Sequence, residues 1–375
     1  MRAAVLKEYG EPLAIESIDV PEPDPNGIVL SVEACGICRS DWHAWQGHGE
    51  WADDQAPLGQ VLGHEPAGEV AQVGERVDAI EEGDRVAVPF NLGDGTCREC
   101  LNGHGNVCSD GLALGFEPGA PGAFAEYVGV PSAEYNTVSL PGGVSSVETA
   151  ALGCRYVTAF HALRHRADLE AGEWLSVFGC GGIGLSAVQI ANAVGANVLA
   201  VDIEDSKLDR ATDIGATATV NPTSVESVSG AVREATDGGA DVSMDALGRA
   251  ETCRQAIRSL GRRGRHVQVG LTGSAEAGSI SLPTDAMCHG EIDFHGVRGM
   301  PPTRYDELLP LVENGRLDPG RLVTREVSLE DVSERLAAMT EYVTEGIEVL
   351  TDFRTDTSRP RSAGIRHSTN TLVRV

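Results

Sequence analysis

Cys97, Cys100 and Cys108 form C-x2-C-x7-C, a spacing at which thiolates can bend a short loop round one tetrahedral zinc ion. Three thiolates leave one vacancy. Asp94, three residues before Cys97, is the candidate to fill it, with His104 as rival. Asp94, Cys97, Cys100 and Cys108 therefore read as a closed structural site. A second set is dispersed. Cys35-Gly36-Ile37-Cys38 reads as a ligand pair, His64 and Glu65 follow, and Cys154 comes far downstream. A catalytic zinc takes three protein ligands and keeps one position open. Spacing alone does not choose among Cys35, Cys38, His64, Glu65 and Cys154. The remaining Cys180, Cys253 and Cys288 read as ordinary small apolar residues. Nine cysteines, odd in number and grouped, suit metal binding in a reducing cytoplasm better than a disulfide framework.

A third feature binds anions. The apolar run Trp174–Phe178 leads into Gly179-Cys180-Gly181-Gly182-Ile183-Gly184, which is G-x-G-x-x-G after a strand and opening a helix. Gly179 permits the turn, Gly181 lets backbone approach a pyrophosphate, and Gly184 allows close helix–strand packing. Gly182 and Ile183 complete the loop. The pyrophosphate sits on the helix N-terminus, where free N–H groups and the dipole favour anions. Asp202 ends the next strand, eighteen residues after Gly184. A carboxylate there accepts from both ribose hydroxyls and repels a 2′-phosphate, so NAD is expected over NADP. Lys207, five residues on, and Val269, at the end of a later strand, are further candidate coenzyme contacts.

These groups need a scaffold. Residues 1–155 are rich in Gly, Pro, Cys and His, with short apolar runs such as Ile28–Val32 between turn signals, the texture of an irregular, mostly β domain. From about 156 strand candidates (Trp174–Phe178, Asn197–Val201, Ala240–Met244, Arg265–Val269) alternate with helical patterns (Ile183–Val194, Ser206–Ile214). Repeated β-α units imply an α/β doubly wound parallel sheet. Helix-like stretches at Arg304–Asn314 and Glu330–Tyr342 follow, and 354–375 reads as a flexible polar tail.

The 375 residues carry a formal charge of −27, from 56 acidic against 29 basic residues. That excludes a nucleic-acid partner and docking on anionic lipid, which both need a basic surface. Only Lys7 and Lys207 are lysines. An acidic, lysine-poor chain suits high salt, where screening suppresses repulsion among surface carboxylates. No apolar run spans a membrane, and the first residues lack the apolar core of a secretory leader, so a cytoplasmic location is expected.

Gly63-His64-Glu65-Pro66-Ala67-Gly68, continuing to Gly74, resembles the G-H-E-x2-G-x5-G signature of zinc-dependent alcohol dehydrogenases of the medium-chain dehydrogenase/reductase superfamily. Gly36–His43 resembles the family's first ligand segment, with Ala44-Trp45-Gln46-Gly47 closest to yeast and bacterial members. Gly153-Cys154 with Thr158 is similar to the third. The likeness runs over 1 to about 353. It implies a GroES-like catalytic domain over 1–155, a Rossmann domain over 156–295 and a return to the catalytic domain over 296–353. It further implies Cys38, His64 and Cys154 as catalytic zinc ligands, with Cys35 excluded. Glu65 would stand beside the metal, and Asp41 would orient His64. Ser40 and His43 would form a proton relay, Thr158 would meet the nicotinamide, and Arg39 the pyrophosphate. Phe90 would line the substrate pocket, and so, from its position near the relay, would Trp45; Trp42 and Trp51 are as readily packing residues.

The implied reaction is hydride exchange between NAD and a small alcohol, aldehyde or ketone, in a homo-oligomer (tetramer or dimer). Two departures stand out. Asp94 replaces the first of the four cysteines usual in the structural lobe. Glu348 lies where some members carry a pyrophosphate-binding arginine, so weaker coenzyme binding is expected. A polyol or sugar dehydrogenase of the same superfamily is the alternative, disfavoured by Cys154 where those often place glutamate. A zinc-free reductase of the superfamily, and a non-catalytic zinc-stabilised binding module resting on C-x2-C-x7-C alone, are further readings.

Overall fold

The computed structural model describes residues 1–49 and 55–354. Trp51 and the tail from 355 lie outside the described residues. Two sheets carry the architecture. The first is all parallel and six-stranded, in the spatial order Ala218–Val220, Asn197–Val201, Trp174–Phe178, Ala240–Asp245, Leu260–Gln268, Asp293–Gly296. The strands hold apolar runs such as Leu175, Val177 and Phe178, fully buried because helices cover the sheet. The strand order reverses beside Trp174–Phe178, and the crevice at such a switch point is where open α/β sheets bind ligands. The helix Gly182–Val194 starts there, and its buried Leu185, Val188 and Ile190 fix it to the sheet.

The second sheet is built from Ile28–Ile37, Glu65–Val73, Arg85–Ala87 and Val138–Ser139, with Tyr127–Val130 also pairing with Ile28–Ile37. The late strands Val323–Ser328 and Ile347–Asp352 join it, the latter antiparallel to Ile28–Ile37. The chain thus returns to its first sheet after completing the second. Glu348 in this returning strand is 3% exposed, and the Arg335 guanidinium donates to its two oxygens at 2.8 Å each. It serves as the carboxylate of a buried ion pair.

A kinked helical segment over 146–166 joins the halves. Ala150, Ala151 and Leu152 pack with Ala34 and Ala87 of the second sheet, while Val157, Ala159 and Phe160 belong to the same apolar cluster as Leu175 and Val177 of the first. The core is therefore continuous across the cleft. Cys180 and Cys253 are buried, as small apolar residues should be. Cys288 is not: it is exposed on the short helix Thr284–Gly290, which has no buried residue. Trp45 also departs from expectation. It is 5% exposed in the core of the first half, and its Nε1 donates to Glu11 O at 2.6 Å; it packs rather than lining the cleft. Trp42 is buried too and donates through Nε1 to Thr340 Oγ1 at 2.9 Å. No helix of the described residues is long and apolar enough to cross a membrane.

Candidate active site and metal centres

Three segments meet at the bottom of the cleft. Cys38 caps the short helix Arg39–Trp45, His64 precedes the strand Glu65–Val73, and Cys154 lies on the kinked segment. One donor atom from each of Cys38, His64, Glu65 and Cys154 lies within 4.8 Å of the others, and all four residues are buried. Asp41 orients this set. Its Oδ1 accepts from His64 Nδ1 at 2.8 Å, and its Oδ2 accepts from the Cys38 backbone N–H at 2.8 Å. The Nδ1 proton is thereby fixed, and the Nε2 lone pair is left facing the two sulfurs.

His64 Nε2 is buried without a hydrogen-bond partner. Such an orphan is costly in a folded protein unless something binds it. Two thiols and one imidazole nitrogen are the donors that zinc prefers. The Cys154 thiol beside it holds the Cys38 thiol well below its usual range. Cys35 is buried but points its Sγ at Gly36 O, outside the cluster.

Glu65 closes the centre from behind. It accepts from the Cys154 backbone N–H at 2.8 Å and from Arg155 Nη2 at 2.6 Å. Burial pushes its carboxyl up to about 7, against the pull of Arg155. The kink explains the geometry. A Cβ on Gly153 would lie 2.6 Å from three Glu65 side-chain carbons, so only glycine lets the helical turn settle over this carboxylate. Thr158, one turn further, donates from Oγ1 to Cys154 O at 2.5 Å. The Phe90 and Phe116 rings stand 5.5 and 4.8 Å from the His64 ring, centroid to centroid.

The cleft above is lined by Cys38, Arg39, Ser40 and His43 on one side and by Gly181, Gly182, Ile183, Gly184, Asp202, Lys207 and Val269 on the other. The glycine loop has the form its spacing predicts. Gly179 adopts φ +98°, and a Cβ on Gly184 would sit 1.8 Å from Gly179 O. Gly181 has open space at its Cβ position. Asp202 accepts the Cys180 N–H at 2.8 Å, which ties the loop to the end of the next strand. Arg39 lies between the Trp42 and Tyr342 rings, 4.0 and 4.3 Å from their centroids, and donates to Met339 O. Lys207 Nζ donates to Tyr342 O at 3.2 Å.

Two neighbours of the site carry no signal in the sequence. His48 Nδ1 is 2.9 Å from His43 Nδ1, and His48 Nε2 is 3.0 Å from Ser274 Oγ, so a line of polar groups runs from His43 through His48 to Ser274. Arg155 is the other. His48 comes directly after the ligand segment that ends at Gly47, and Arg155 follows Cys154 without belonging to any spacing motif.

The cysteine lobe differs in kind. Asp94, Cys97, Cys100 and Cys108 also bring one donor atom each within 4.8 Å of the others, and of these only Cys100 is buried. Backbone donors support it: Cys100 N–H reaches Cys97 Sγ and Asp94 N–H reaches Cys108 Sγ, each at 3.4 Å. Asp94 accepts the N–H groups of Thr96 and Cys97 at 2.8 and 2.9 Å, which hold its carboxyl well below the usual range. His104 stands outside this cluster.

Comparison with known proteins agrees with this layout. Residues 24–142 match the alcohol dehydrogenase GroES-like domain, and residues 182–314 match the zinc-binding dehydrogenase family. The chain is 34% identical over 357 residues to an NAD-dependent alcohol dehydrogenase of Sulfurisphaera tokodaii, covering 93% of this chain and 99% of that protein. It is 32% identical to a sorbitol dehydrogenase of Bacillus subtilis, over 93% of this chain and 96% of that one. The crystal structure of the alcohol dehydrogenase from Aeropyrum pernix superposes with a TM-score of 0.84 at 29% identity, over 94% of this chain and 100% of that one. The chain belongs to the zinc-dependent alcohol dehydrogenases of the medium-chain dehydrogenase/reductase superfamily.

Proposed function

We propose that the chain is an NAD-linked, zinc-dependent alcohol dehydrogenase that exchanges hydride between a small alcohol, or its aldehyde or ketone, and the nicotinamide. The carrying observation is the buried Cys38–His64–Cys154 donor set, with its unpartnered His64 Nε2, at the foot of a cleft walled by the glycine loop and Asp202. Zinc held by these three residues supplies Lewis acidity that lowers the pKa of an alcohol.

The protein's own groups do the rest. Asp41 fixes the His64 tautomer, and Glu65 holds the Cys154 backbone. Ser40 Oγ, 3.9 Å from Cys38 Sγ, is placed to receive the alcohol proton. His43 is pushed down to about 4 by burial, with His48 and Arg39 adding to the effect. His43 is therefore neutral near pH 7, able to take a proton on one ring nitrogen as it gives one up from the other, and His48 Nδ1, 2.9 Å from His43 Nδ1, is the next group outward. The Phe90 and Phe116 rings keep water from the His64 face. Asp202 has acceptor capacity left for ribose hydroxyls, which favours NAD over NADP.

In this reading 1–155 and 296–353 form the catalytic unit and 156–295 the coenzyme unit. The Asp94 lobe holds a structural zinc. Asp293–Gly296, an edge strand with Phe294 39% exposed, is the surface through which copies of the chain associate as a homo-oligomer. The protein works in the cytoplasm, and its acidic surface suits high salt. A polyol substrate is the second reading, supported by the likeness to the Bacillus subtilis sorbitol dehydrogenase.

One assay separates these readings: a panel of simple alcohols and polyols with NAD and NADP, followed by coenzyme absorbance at low salt and at about 2 M KCl. Turnover of simple alcohols with NAD, rising with salt, is expected. Exclusive turnover of polyols would move the substrate to the second reading, and no turnover with any alcohol would overturn the first.

A further inference from the structure

Arg155 is 5% exposed, yet only one of its three guanidinium nitrogens is hydrogen-bonded among the described residues. Nη2 donates to Glu65 Oε2 at 2.6 Å. Nε is buried without a partner. A buried guanidinium nitrogen left without an acceptor is destabilising unless a ligand completes it. The side chain also lies in the cleft wall, between Cys38 and the glycine loop. A Cβ on Gly182 would lie 2.7 Å from Arg155 Cδ and 3.5 Å from Nη1. The second glycine of the Gly181-Gly182 pair is therefore what allows the arginine to lie across the opening of the helix Gly182–Val194. That helix presents free backbone N–H groups to the same space. A cation and a helix N-terminus converging on one point form an anion site.

We infer that Arg155 is a coenzyme-binding residue, which takes the pyrophosphate of the dinucleotide on the phosphate nearer the nicotinamide while its Nη2 holds Glu65 behind the metal ligands. The inference rests on the NAD reading above and adds a residue to it. The assignment to the nicotinamide-side phosphate follows from position. Arg155 follows Cys154 at the catalytic end of the cleft, whereas Asp202 and Lys207, at the adenosine end, belong to the next strand and helix. One guanidinium then joins two events. Coenzyme occupancy gives the open Nη1 an acceptor beside Gly182, and the same group steadies the carboxylate that accepts from the Cys154 backbone.

The test uses dead-end ligands, so that turnover is not the readout. Binding of ADP-ribose, which carries the whole pyrophosphate, is compared with binding of AMP, which lacks the nicotinamide-side phosphate, by displacement of fluorescent NADH. Arg155→Gln should raise the Kd of ADP-ribose about 10- to 100-fold, the range for losing hydrogen bonds to a charged group, and that of AMP less than about 3-fold. Arg155→Lys should fall between, because a point charge lacks the fork. Should Arg155→Gln fold poorly because Glu65 is left unpaired, Glu65→Gln/Arg155→Gln removes the buried charge and should show the same ligand-selective loss. An unchanged ratio of the two Kd values in the folded variants would overturn the inference while leaving the NAD reading intact. A wild-type protein that bound neither NADH nor ADP-ribose would overturn the NAD reading and this inference with it.

Discussion

The two candidate metal centres are built on opposite plans. The Cys38–His64–Cys154 set draws ligands from three distant segments, lies wholly inside the protein, and depends on Asp41, Glu65 and Arg155 behind it. The Asp94–Cys108 lobe draws all its donors from one loop, is mostly half-exposed, and relies on backbone N–H groups from that same loop. The first is a product of the tertiary fold and the second of local chain geometry. Only the first faces the coenzyme cleft, through Cys38. A site assembled by the whole fold can be poised for chemistry, because a donor from one segment is braced by a residue of another: His64 by Asp41, and Cys154 by Glu65. A site assembled by one loop can do no more than hold that loop.

This contrast can be broken at its strongest point. Cys154→Ser should abolish zinc binding at the buried site and lower kcat/KM by about a thousandfold or more, equivalent to ~4 kcal/mol of transition-state stabilisation, while NADH still binds. Metal analysis, steady-state rates and NADH fluorescence read the three outcomes; full turnover in this variant would invalidate the ligand set. The lobe should respond differently. Asp94→Ala removes one donor of the cluster and the acceptor of two backbone N–H groups. It should cost the lobe its metal and lower Tm measurably, with kcat retained. Asp94→Cys should bind zinc more tightly. Loss of turnover in Asp94→Ala, with the buried zinc still present, would show that the lobe contributes to chemistry after all.

Acid sharpens the comparison with a smaller effect. Burial pushes His43, His161 and His266 down to about 4, so each stays neutral in the folded chain where an unfolded histidine, with its pKa of about 6.5, takes a proton. Between those values the unfolded chain binds more protons, and stability falls as pH falls. Asp94, held down by backbone N–H groups, stays ionised over that interval. His266 sits in the parallel sheet, bonded to Ser243 Oγ at 2.8 Å. Its replacement by Asn should flatten the slope of Tm against pH, and an unchanged slope would remove His266 from the account.

Much of this was legible in the residues, and the reason is local physics. Apolar runs between turn signals marked Trp174–Phe178 and Asn197–Val201 to the residue. The glycine spacing placed the following helix within one residue of its start at Gly182. The lobe was legible because its ligands lie within one stretch of chain. The buried centre was not: five candidates stood open until resemblance to a family chose among them. What stayed hidden depends on contacts across the fold. Trp45 was expected at the substrate because it lies near the relay in sequence, but Glu11 and the surrounding core claim it. Cys288 reads like any small apolar residue until the helix carrying it proves to have no buried face. Glu348 was read from the absence of a cation, although the structure gives it Arg335 as a positive task of its own. Arg155 was silent because its meaning depends on the Gly153 kink and on the missing side chain at Gly182, neither of which is visible as a spacing.

The kinked segment over 146–166 has a consequence for recombination. Cys154 completes the donor set of the first half, but the turns that follow it are rooted in the second, where Tyr156 donates to Gln189 on the helix Gly182–Val194 at 2.6 Å. No cut between the halves leaves both intact. A chimaera joined before Gly153 imports the third donor of the buried cluster, and the cation beside it, from the parent of the second half. One joined after Arg155 keeps the native thiol but presents a foreign helix surface to it. Exchange of coenzyme units among relatives should therefore succeed or fail according to which parent supplies Gly153, Cys154 and Arg155 together with Glu65.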